Sequence, residues 1–243
     1  MQSLEGRHVL VTGANGGLGE QFVAQALERG AAKVYAAARS TRDWDDPRVE
    51  SLDLDLNDPD APARAAAVAT DVDLLINNAA IAPADDSISG PEDELRRIFE
   101  TNFFGTLRVS NAFAPVLATN GGGTLINILS AAAWVSMPTG YAASKAAMWS
   151  ATNALRIQLR GQGTHVVGLL VGMIDTPMTA GWEVPKVSAA SVVAQAYDAV
   201  TDGSLEVLAD DVTRDLKSRL NTRGEELYPW LDEQVAALAA QTR

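Results

Sequence analysis

A tyrosine and a lysine four residues apart could carry acid–base chemistry if both lie on one helix. Tyr141 and Lys145 fall in a stretch rich in Ala, Leu and Met, which predicts a helix over 141–159 with both side chains on one face. A free phenol has a pKa of about 10, and a neighbouring ammonium lowers it, so such a tyrosine can donate and accept a proton. Ser130 can hydrogen-bond a substrate carbonyl or hydroxyl oxygen beside Tyr141. Taken alone, the Tyr–Lys pair more often marks a solvated helix face.

A glycine-rich turn near the start of the chain could hold the phosphates of a dinucleotide. A strand predicted over 8–12 runs into the sequence TGANGGLG, and a helix is predicted over 18–29. Gly13 permits a tight turn, Gly17 lets the backbone approach a pyrophosphate, and Gly19 lets the helix pack closely on the sheet. The helix N-terminus would present N–H groups and a positive dipole end to the phosphates. A tight turn without a ligand is the alternative, and the flanking strand and helix favour the dinucleotide.

The elements that must position these residues alternate between short apolar strands and longer helices. Strands are predicted over 8–12, 33–37, 50–54, 73–77, 124–129, 165–171 and 205–208. Helices are predicted over 18–29, 61–69, 92–119, 141–159 and 188–200. Continuous apolar strands that alternate with helices favour an α/β fold with a parallel sheet covered on both faces. The sequence shows neither repeats nor a Gly/Ser linker, so we expect one domain over 1–243.

The composition excludes several functional classes. Lys plus Arg is 19 and Asp plus Glu is 31 in 243 residues, so the formal net charge is 19 − 31 = −12, which disfavours nucleic-acid partners. The chain has no cysteine, which excludes disulfides, thiolate nucleophiles and Cys-ligated zinc. Its two histidines, His8 and His165, are predicted to be structural residues on strands, and no metal site is expected. Without a long uncharged apolar run or a signal peptide, the chain is expected to be cytoplasmic and to have no membrane partner.

The spacing of the sequence motifs resembles that of one family. The turn reads T-G-x-x-x-G-x-G from Thr12, whereas the standard dinucleotide fingerprint reads G-x-G-x-x-G. It is followed in order by NNAA at 77–80, YAASK at 141–145 and VGMIDT at 171–176. Together these motifs resemble the short-chain dehydrogenase/reductase family across most of the chain. The resemblance implies a Rossmann-type doubly wound parallel sheet of about seven strands, with helices on both faces.

The resemblance also implies a role for each residue of a catalytic group. Tyr141 would be the general acid in reduction and the base in oxidation, and Lys145 would lower its pKa and hold the nicotinamide ribose. Ser130 would orient the substrate oxygen, and Asn102 would support a proton-relay water near Lys145. The interval 141 − 130 = 11 is shorter than in most family members by a residue or two, so we expect a tighter loop. Ala80 stands where the family has glycine, and alanine does not adopt a positive φ freely.

A larger set of residues would contact the cofactor. The implied contacts are Gly13, Asn15, Gly16, Gly17, Leu18, Gly19, Arg39, Ser40, Asp55, Leu56, Asn78, Ala79, Ala80, Tyr141, Lys145, Gly172, Ile174 and Thr176. Ala38 takes the place of the acidic residue that binds the ribose 2′-hydroxyl of NAD, and Arg39 follows it. Arg39, with Ser40 and Arg42 in reach, could accommodate the 2′-phosphate of NADP. The sequence therefore predicts NADP(H) over NAD(H), with solvated loop charges as the alternative.

The substrate pocket is expected to be apolar. The segment 176–186 resembles the lid of the family, and helices are expected over 212–240. Large apolar residues that could line the pocket, or simply pack the core, are Trp134, Met137, Met173, Met178 and Trp182. Because no Arg or Lys cluster accompanies them, the expected substrate is a neutral or apolar carbonyl or alcohol.

The resemblance further implies self-association. The helices over 92–119 and 141–161 commonly pair between subunits in this family, and exposed Phe99, Phe103 and Phe113 would suit such a contact. We therefore expect a homotetramer or homodimer. The last helix carries Leu227, Leu231, Val235 and Leu238 at helical spacing, and we expect it to pack on its own domain, with a subunit contact as the alternative.

Three functions compete at this point. The leading hypothesis is an NADP-dependent oxidoreductase acting on a carbonyl/alcohol pair. A non-catalytic NADP(H)-binding sensor or scaffold on the same fold is the main alternative, and the presence of Tyr141, Lys145, Ser130 and Asn102 argues against it. A lyase or dehalogenase variant that uses no nicotinamide would have little use for the glycine loop.

Overall fold

The computed structural model describes residues 4–135 and 137–239, and these residues form nine strands. They are β1 His8–Thr12, β2 Lys33–Ala38, β3 Val49–Asp53, β4 Leu74–Asn77, β5 Thr124–Ile128, β6 His165–Leu170, β7 Ile174–Asp175, β8 Val187–Ser188 and β9 Glu206–Leu208. Seven of them form one sheet in the order β3-β2-β1-β4-β5-β6-β9, and every neighbouring pair is parallel. The sequence predicted all seven. The short strands β7 and β8 pair separately and were not predicted.

Helices cover both faces of this sheet. They are α1 Gly17–Glu28, α2 Ala61–Val68, α3 Glu92–Phe99, α4 Thr106–Thr119, α5 Gly140–Gln158, α6 Ala189–Asp202, α7 Asp211–Arg219 and α8 Gly224–Ala239. One core cluster joins α1 and α6 to side chains such as Val9 and Val11, while the other joins α2, α4 and α5 to Leu10. Successive strand residues thus point to opposite faces of the sheet, and each face has its own core cluster. The structure confirms the Rossmann-type doubly wound sheet.

The long helical stretch predicted over 92–119 contains a change of pitch. Between α3 and α4, Glu100–Gly105 form a turn of π-helix, which the sequence did not predict. The chain passes so close to Leu56 here that a Cβ on Gly105 would lie 2.7 Å from the Leu56 backbone oxygen. A π-helical turn inserts an extra residue into the helix, and such turns are frequent at functional sites. This one carries Asn102.

The exposure predicted for one aromatic residue is wrong. Phe113 was expected on the surface of α4, but it is fully buried in the core with Leu117 and Val109, because it lies one helical turn from each on the inward face. Phe99 and Phe103 are half-buried and pack edge to face with centroids 6.4 Å apart. Of the aromatic residues in this stretch, Phe104 is the most exposed, at 49%.

The C-terminal helix α8 packs on its own domain. Leu231 is buried, and Leu227 packs against the same core cluster. Val235 is half-buried, and the side chain of Leu238 lies outside the described part of the structure. No helix in the described ranges has both the length and the apolar character needed to cross a bilayer.

Candidate active site

The site lies where parallel strands end at one edge of the sheet. The segments that follow β1, β4, β5 and β6 carry the glycine turn, Asn78, Ser130 and Gly172 respectively. Because these four strands are neighbours and parallel, their carboxyl ends meet at the same edge. Residues separated by more than 150 positions are thereby brought to one place.

The glycine turn is fastened to the end of β4. Thr12 Oγ1 accepts hydrogen bonds from the backbone N–H groups of Asn78 at 3.0 Å and Ala79 at 3.1 Å. Asn78 Nδ2 donates in return to the backbone oxygens of Thr12 at 2.9 Å and Gly13 at 3.2 Å. Among the described residues every positive φ belongs to a glycine, so Ala80 adopts its position without the strain expected of it.

The turn has the backbone shape that a dinucleotide phosphate needs. Gly13 has φ +65°, and a Cβ there would meet the Ala79 Cα at 3.0 Å. A Cβ on Gly19 would lie 2.1 Å from the Gly13 oxygen, which only glycine allows. The N-cap of α1 is Gly16, which supplies no side-chain acceptor to the first turn. The N–H groups and the positive dipole end of α1 therefore suit an anion, and the residues present fit a bound dinucleotide.

The loop after β2 carries the charged residues predicted to face the adenosine end of a cofactor. Arg39 is exposed and makes neither a hydrogen bond nor an ion pair with another described residue. Ser40 is tied to the glycine turn, because its backbone oxygen accepts a bond from Asn15 Nδ2 at 2.7 Å. Arg42 is already paired with Glu20 at 2.8 Å and lies over the ring of Trp44. Of the two arginines, Arg39 is thus the one with its guanidinium free.

The remaining predicted cofactor contacts fall on three segments near this edge. Asp55 and the buried Leu56 follow β3, where Asp55 Oδ1 accepts the N–H of Asn57 at 3.0 Å. Ile174 is in β7, and Thr176 lies against the glycine turn, since a Cβ on Gly17 would be 3.3 Å from the Thr176 Cβ. Gly172 donates its N–H to Asp210 Oδ2 at 2.6 Å. The individual contacts with a cofactor stay predictions.

Ser130, Tyr141 and Lys145 come together at the same edge of the sheet as the glycine turn. Ser130 follows β5, its Oγ accepts the N–H of Ala132 at 3.1 Å, and its hydroxyl lies close enough to Tyr141 to act on the pKa of the phenol. Lys145 Nζ donates to the Ile128 backbone oxygen at 2.8 Å and lies 5.6 Å from the centroid of the Tyr141 ring. The short connection between Ser130 and Tyr141 therefore still brings the two side chains near each other.

Burial sets the acidity of this group in a direction the sequence did not predict. Lys145 was expected to lower the pKa of Tyr141, but desolvation raises that pKa above 10, and the nearby Ser130 hydroxyl only partly opposes the rise. The ammonium of Lys145 is directed to Ile128 rather than to the phenol. Desolvation also lowers the pKa of Lys145 from 10.5 to about 8. At neutral pH the phenol is therefore held protonated, as a proton donor requires.

Asn102, on the π-helical turn, hydrogen-bonds the loop after β4 and helix α5. Its side chain accepts the N–H of Ile81 at 2.8 Å and donates to the Ile81 oxygen at 2.9 Å. Its Nδ2 also donates to Ser144 Oγ at 3.1 Å, and Ser144 Oγ donates to the backbone oxygen of Tyr141 at 2.7 Å. The structure thus links Asn102 to Tyr141 through Ser144, and its part in a proton relay stays a prediction.

The predicted pocket residues lie on the loops after β5 and β6. Met137 and Met173 are half-buried, as is Trp182, while Met178 is 51% exposed. Trp134 is buried, with its ring centroid 6.0 Å from that of Trp149 and Lys217 Nζ 5.1 Å away. Trp134 is thus enclosed by core side chains, and its place in a substrate pocket stays a prediction with the others.

The sequence reasoning missed residues that hold the functional ones. Thr12 could have been found from its position at the strand end before Gly13. Thr139 could have been found as an N-cap, since its side chain accepts the N–H of Ala142 at 3.1 Å. Ser144 lies inside the motif but gave no sign of its bond with Asn102, because a tertiary contact across 42 positions has no local pattern.

Comparison with known proteins gives one consistent result. Residues 7–186 match the short chain dehydrogenase family. The chain is 30% identical to 1-deoxy-11-beta-hydroxypentalenate dehydrogenase of Streptomyces exfoliatus, over 93% of this chain and 95% of that protein. It is 32% identical to L-xylulose reductase of Homo sapiens, over 75% and 78% of the two chains.

A solved structure supports the same assignment. A short chain dehydrogenase from Burkholderia cenocepacia in complex with NADP is 35% identical, with a TM-score of 0.87 over 95% of this chain and 99% of that one. The sequence motifs, the seven-stranded sheet and these relatives agree, and the chain belongs to the short-chain dehydrogenase family of oxidoreductases.

Proposed function

We propose that the protein transfers a hydride between NADP(H) and a neutral or apolar carbonyl/alcohol substrate, with Tyr141 as general acid and base. The observation that carries this is the group formed by the buried Ser130 and Lys145 and the half-buried Tyr141, at the same sheet edge as the glycine turn. The nicotinamide, when bound, supplies or accepts the hydride. The protein's own residues hold the substrate oxygen and move the proton.

In this proposal the Ser130 hydroxyl and the Tyr141 phenol both hydrogen-bond the substrate oxygen. During reduction Tyr141 donates its proton to that oxygen, and during oxidation it accepts the proton back. Lys145 stabilises the phenolate and holds the nicotinamide ribose. The raised pKa of Tyr141 favours the proton-donating form. A protonated Lys145 would lower that pKa only if its ammonium turned from Ile128 towards the phenol.

The preference for NADP(H) over NAD(H) rests on the end of β2. Ala38 supplies no carboxylate, and the free guanidinium of Arg39 suits a 2′-phosphate. The Burkholderia relative was solved with NADP, which supports this choice by analogy. Asp55, Leu56, Asn78 and the glycine turn would hold the rest of the cofactor.

The substrate, the assembly and the location form part of the same proposal. The segment 176–186 would cover the site as a lid, and its apolar residues would favour a substrate without a charged group. The faces of α4 and α5 would join subunits into a homodimer or homotetramer. The protein would act in the cytoplasm.

Absorbance at 340 nm tests the proposal. NADPH and NADH are each mixed with the enzyme and a panel of aldehydes, aromatic ketones and diketones. We expect turnover with NADPH that falls at least 100-fold in Tyr141→Phe, because general acid catalysis contributes about 10²–10⁴-fold. NADPH binding, measured by calorimetry, should persist in that variant.

The alternative function predicts a different result. A non-catalytic sensor or scaffold would bind NADPH tightly and turn over no member of the panel. Turnover that survives in Tyr141→Phe would contradict the proposed role of the tyrosine, and the absence of both turnover and NADPH binding would contradict the whole proposal.

A further inference from the structure

The first turn of α5 leaves two backbone N–H groups that the helix cannot satisfy. The first four N–H groups of a helix have no partner within it. In α5 the N-cap Thr139 donates its own N–H to the Met137 oxygen at 2.7 Å and accepts the N–H of Ala142 on its side chain at 3.1 Å. The N–H groups of Gly140 and Tyr141 remain. One of them belongs to the proposed proton donor itself.

A carboxylate from a distant loop accepts both. Asp86 Oδ1 accepts the N–H of Gly140 at 2.8 Å, and Asp86 Oδ2 accepts the N–H of Tyr141 at 2.7 Å. Each oxygen thus takes one donor, in bonds strengthened by the carboxylate charge and by the positive end of the helix. The approach depends on a glycine, because a Cβ on Gly140 would lie 3.0 Å from Asp86 Oδ1 and 2.7 Å from Leu95 Cδ2.

The loop that carries Asp86 is itself anchored at two other points. Ile81 is fixed by both of its backbone groups to the Asn102 side chain, and Ile88 donates its N–H to the Pro138 oxygen at 2.9 Å. The same loop therefore holds both backbone groups of Tyr141. It reaches the N–H directly through Asp86, and it reaches the C=O through Asn102 and Ser144.

We propose that Asp86 is a positioning residue for Tyr141, whose carboxylate fixes the first turn of α5 and so places the phenol against Ser130. This inference rests on the proposed function of Tyr141 as proton donor. Tyr141 is the second residue of its helix, where terminal turns open most readily, so its position depends on the end being held. Misplacement of a reacting group by about 1 Å can cost about 100-fold in rate.

Kinetics of matched variants test the inference. We expect Asp86→Ala to lower kcat at least tenfold while the Kd for NADPH, measured by fluorescence, stays within twofold. Asp85→Ala is the control, because Asp85 is the exposed neighbour of Asp86, has the same charge and makes no bond with another described residue. Asp86→Asn keeps one oxygen that can accept one of these N–H groups, and it should recover part of the lost kcat.

Three results would overturn the inference. They are a kcat in Asp86→Ala within twofold of the Asp85→Ala value, a parallel loss of kcat and NADPH affinity, and an Asp86→Asn variant no better than Asp86→Ala. The second would show general damage to the site. The third would assign the effect to charge instead of hydrogen bonding.

A spectroscopic measurement separates this inference from the proposed function. If the wild-type protein turns over no substrate, the proposed function fails, and the ionisation of Tyr141 is then followed at 295 nm as the difference from Tyr141→Phe. Burial raises the pKa of Tyr141. We expect Asp86→Ala to bring that pKa down towards 10 as water enters a loosened first turn. An unchanged pKa would overturn the inference without reference to activity.

Discussion

At the scale of single residues, the buried ammonium of Lys145 links the site to the stability of the whole chain. Its Nζ hydrogen-bonds one backbone oxygen, and burial lowers its pKa from 10.5 to about 8. A lysine whose pKa is lower in the folded state binds fewer protons there than in the unfolded chain. Folding is therefore disfavoured as the pH falls from about 10.5 to about 8, and the penalty is constant below that range.

We predict that Lys145→Met has a higher free energy of unfolding than the wild type at pH 7. The difference between the two proteins should decrease as the pH rises. The difference in free energy of unfolding should change by up to about 1.4 kcal/mol per pH unit between pH 8 and 10.5. Urea unfolding of both proteins at several pH values measures this difference. The contributions of the other titratable groups, which both proteins share, cancel in it. A gap independent of pH would contradict the lowered pKa.

The cofactor preference also depends on one side chain. Arg39→Ala should raise the KM for NADPH about 10- to 100-fold and leave the KM for NADH unchanged, because a hydrogen bond to a charged group contributes about 1.5–3 kcal/mol. Arg160→Ala is the control, since Arg160 is likewise exposed but lies before β6 at the opposite edge of the sheet. An equal loss for both cofactors would show that Arg39 does not recognise the 2′-phosphate.

The sequence indicated candidate chemistry-bearing residues but not the contacts that surround them. Ser130, Tyr141 and Lys145 could be found because their types and spacing form a motif. Asp86 and Ser144 could not be assigned roles, since each acts through a tertiary contact that leaves no periodic trace. The direction of the Tyr141 pKa was also beyond the sequence, because it depends on burial and on where the Lys145 ammonium points.

At the scale of elements, a buried chain of polar side chains joins the strands to the helices beneath the site. Asn77 Nδ2 donates to Ser110 Oγ and to Asn127 Oδ1, and Asn127 Nδ2 donates to Thr152 Oγ1, all at 2.9 Å. These bonds connect β4, β5, α4 and α5. Asn77 and Asn127 are also register partners, so the network favours the observed alignment of the two central strands.

We predict that Thr152→Val lowers the free energy of unfolding by about 1–3 kcal/mol, because it leaves the buried Asn127 Nδ2 without its acceptor. Thr119→Val is the matched control. Thr152 and Thr119 each donate the hydroxyl to the carbonyl four residues earlier. Thr119 lies on an exposed part of α4, so its replacement should cost less than about 0.5 kcal/mol. Chemical denaturation measures both, and equal effects would contradict a role for the network.

The elements themselves were largely predictable, for a physical reason. Strands buried on both faces are continuous apolar runs, and the helices between them have a clear period. The π-helical turn at Glu100–Gly105 was not predictable, since it depends on Leu56 meeting Gly105. Strands of two residues, such as β7 and β8, are too short to show any period.

At the scale of the whole molecule, the doubly wound parallel sheet was implied by the family resemblance, whereas the assembly depends on which side chains the surface exposes. The described surface keeps apolar side chains exposed near the helices proposed to join subunits. Phe104 is 49% exposed and Ile157 on α5 is 76% exposed. Phe113, which the sequence placed on that surface, is buried and cannot take part.

We predict that static light scattering at micromolar concentration gives a mass two or four times 25.6 kDa. Ile157→Glu should shift the population towards smaller species, because it would bury a charge in the contact. Val68→Glu on α2, whose side chain is 56% exposed, is the control and should leave the mass unchanged. A monomeric wild-type protein would contradict the proposed assembly.

The pairing of β7 with β8 has a consequence for how new substrate ranges could arise. It closes the segment 176–186 at its base through the partners Ile174–Val187 and Asp175–Ser188, so the ends of the segment stay together whatever lies between them. The entropy of closing a flexible loop grows slowly, by about 0.6 kcal/mol for each doubling of its length. Insertions between these two strands should therefore be tolerated thermodynamically. The wall of the proposed pocket could therefore be replaced while the sheet edge, and α5 with Tyr141, stay unchanged.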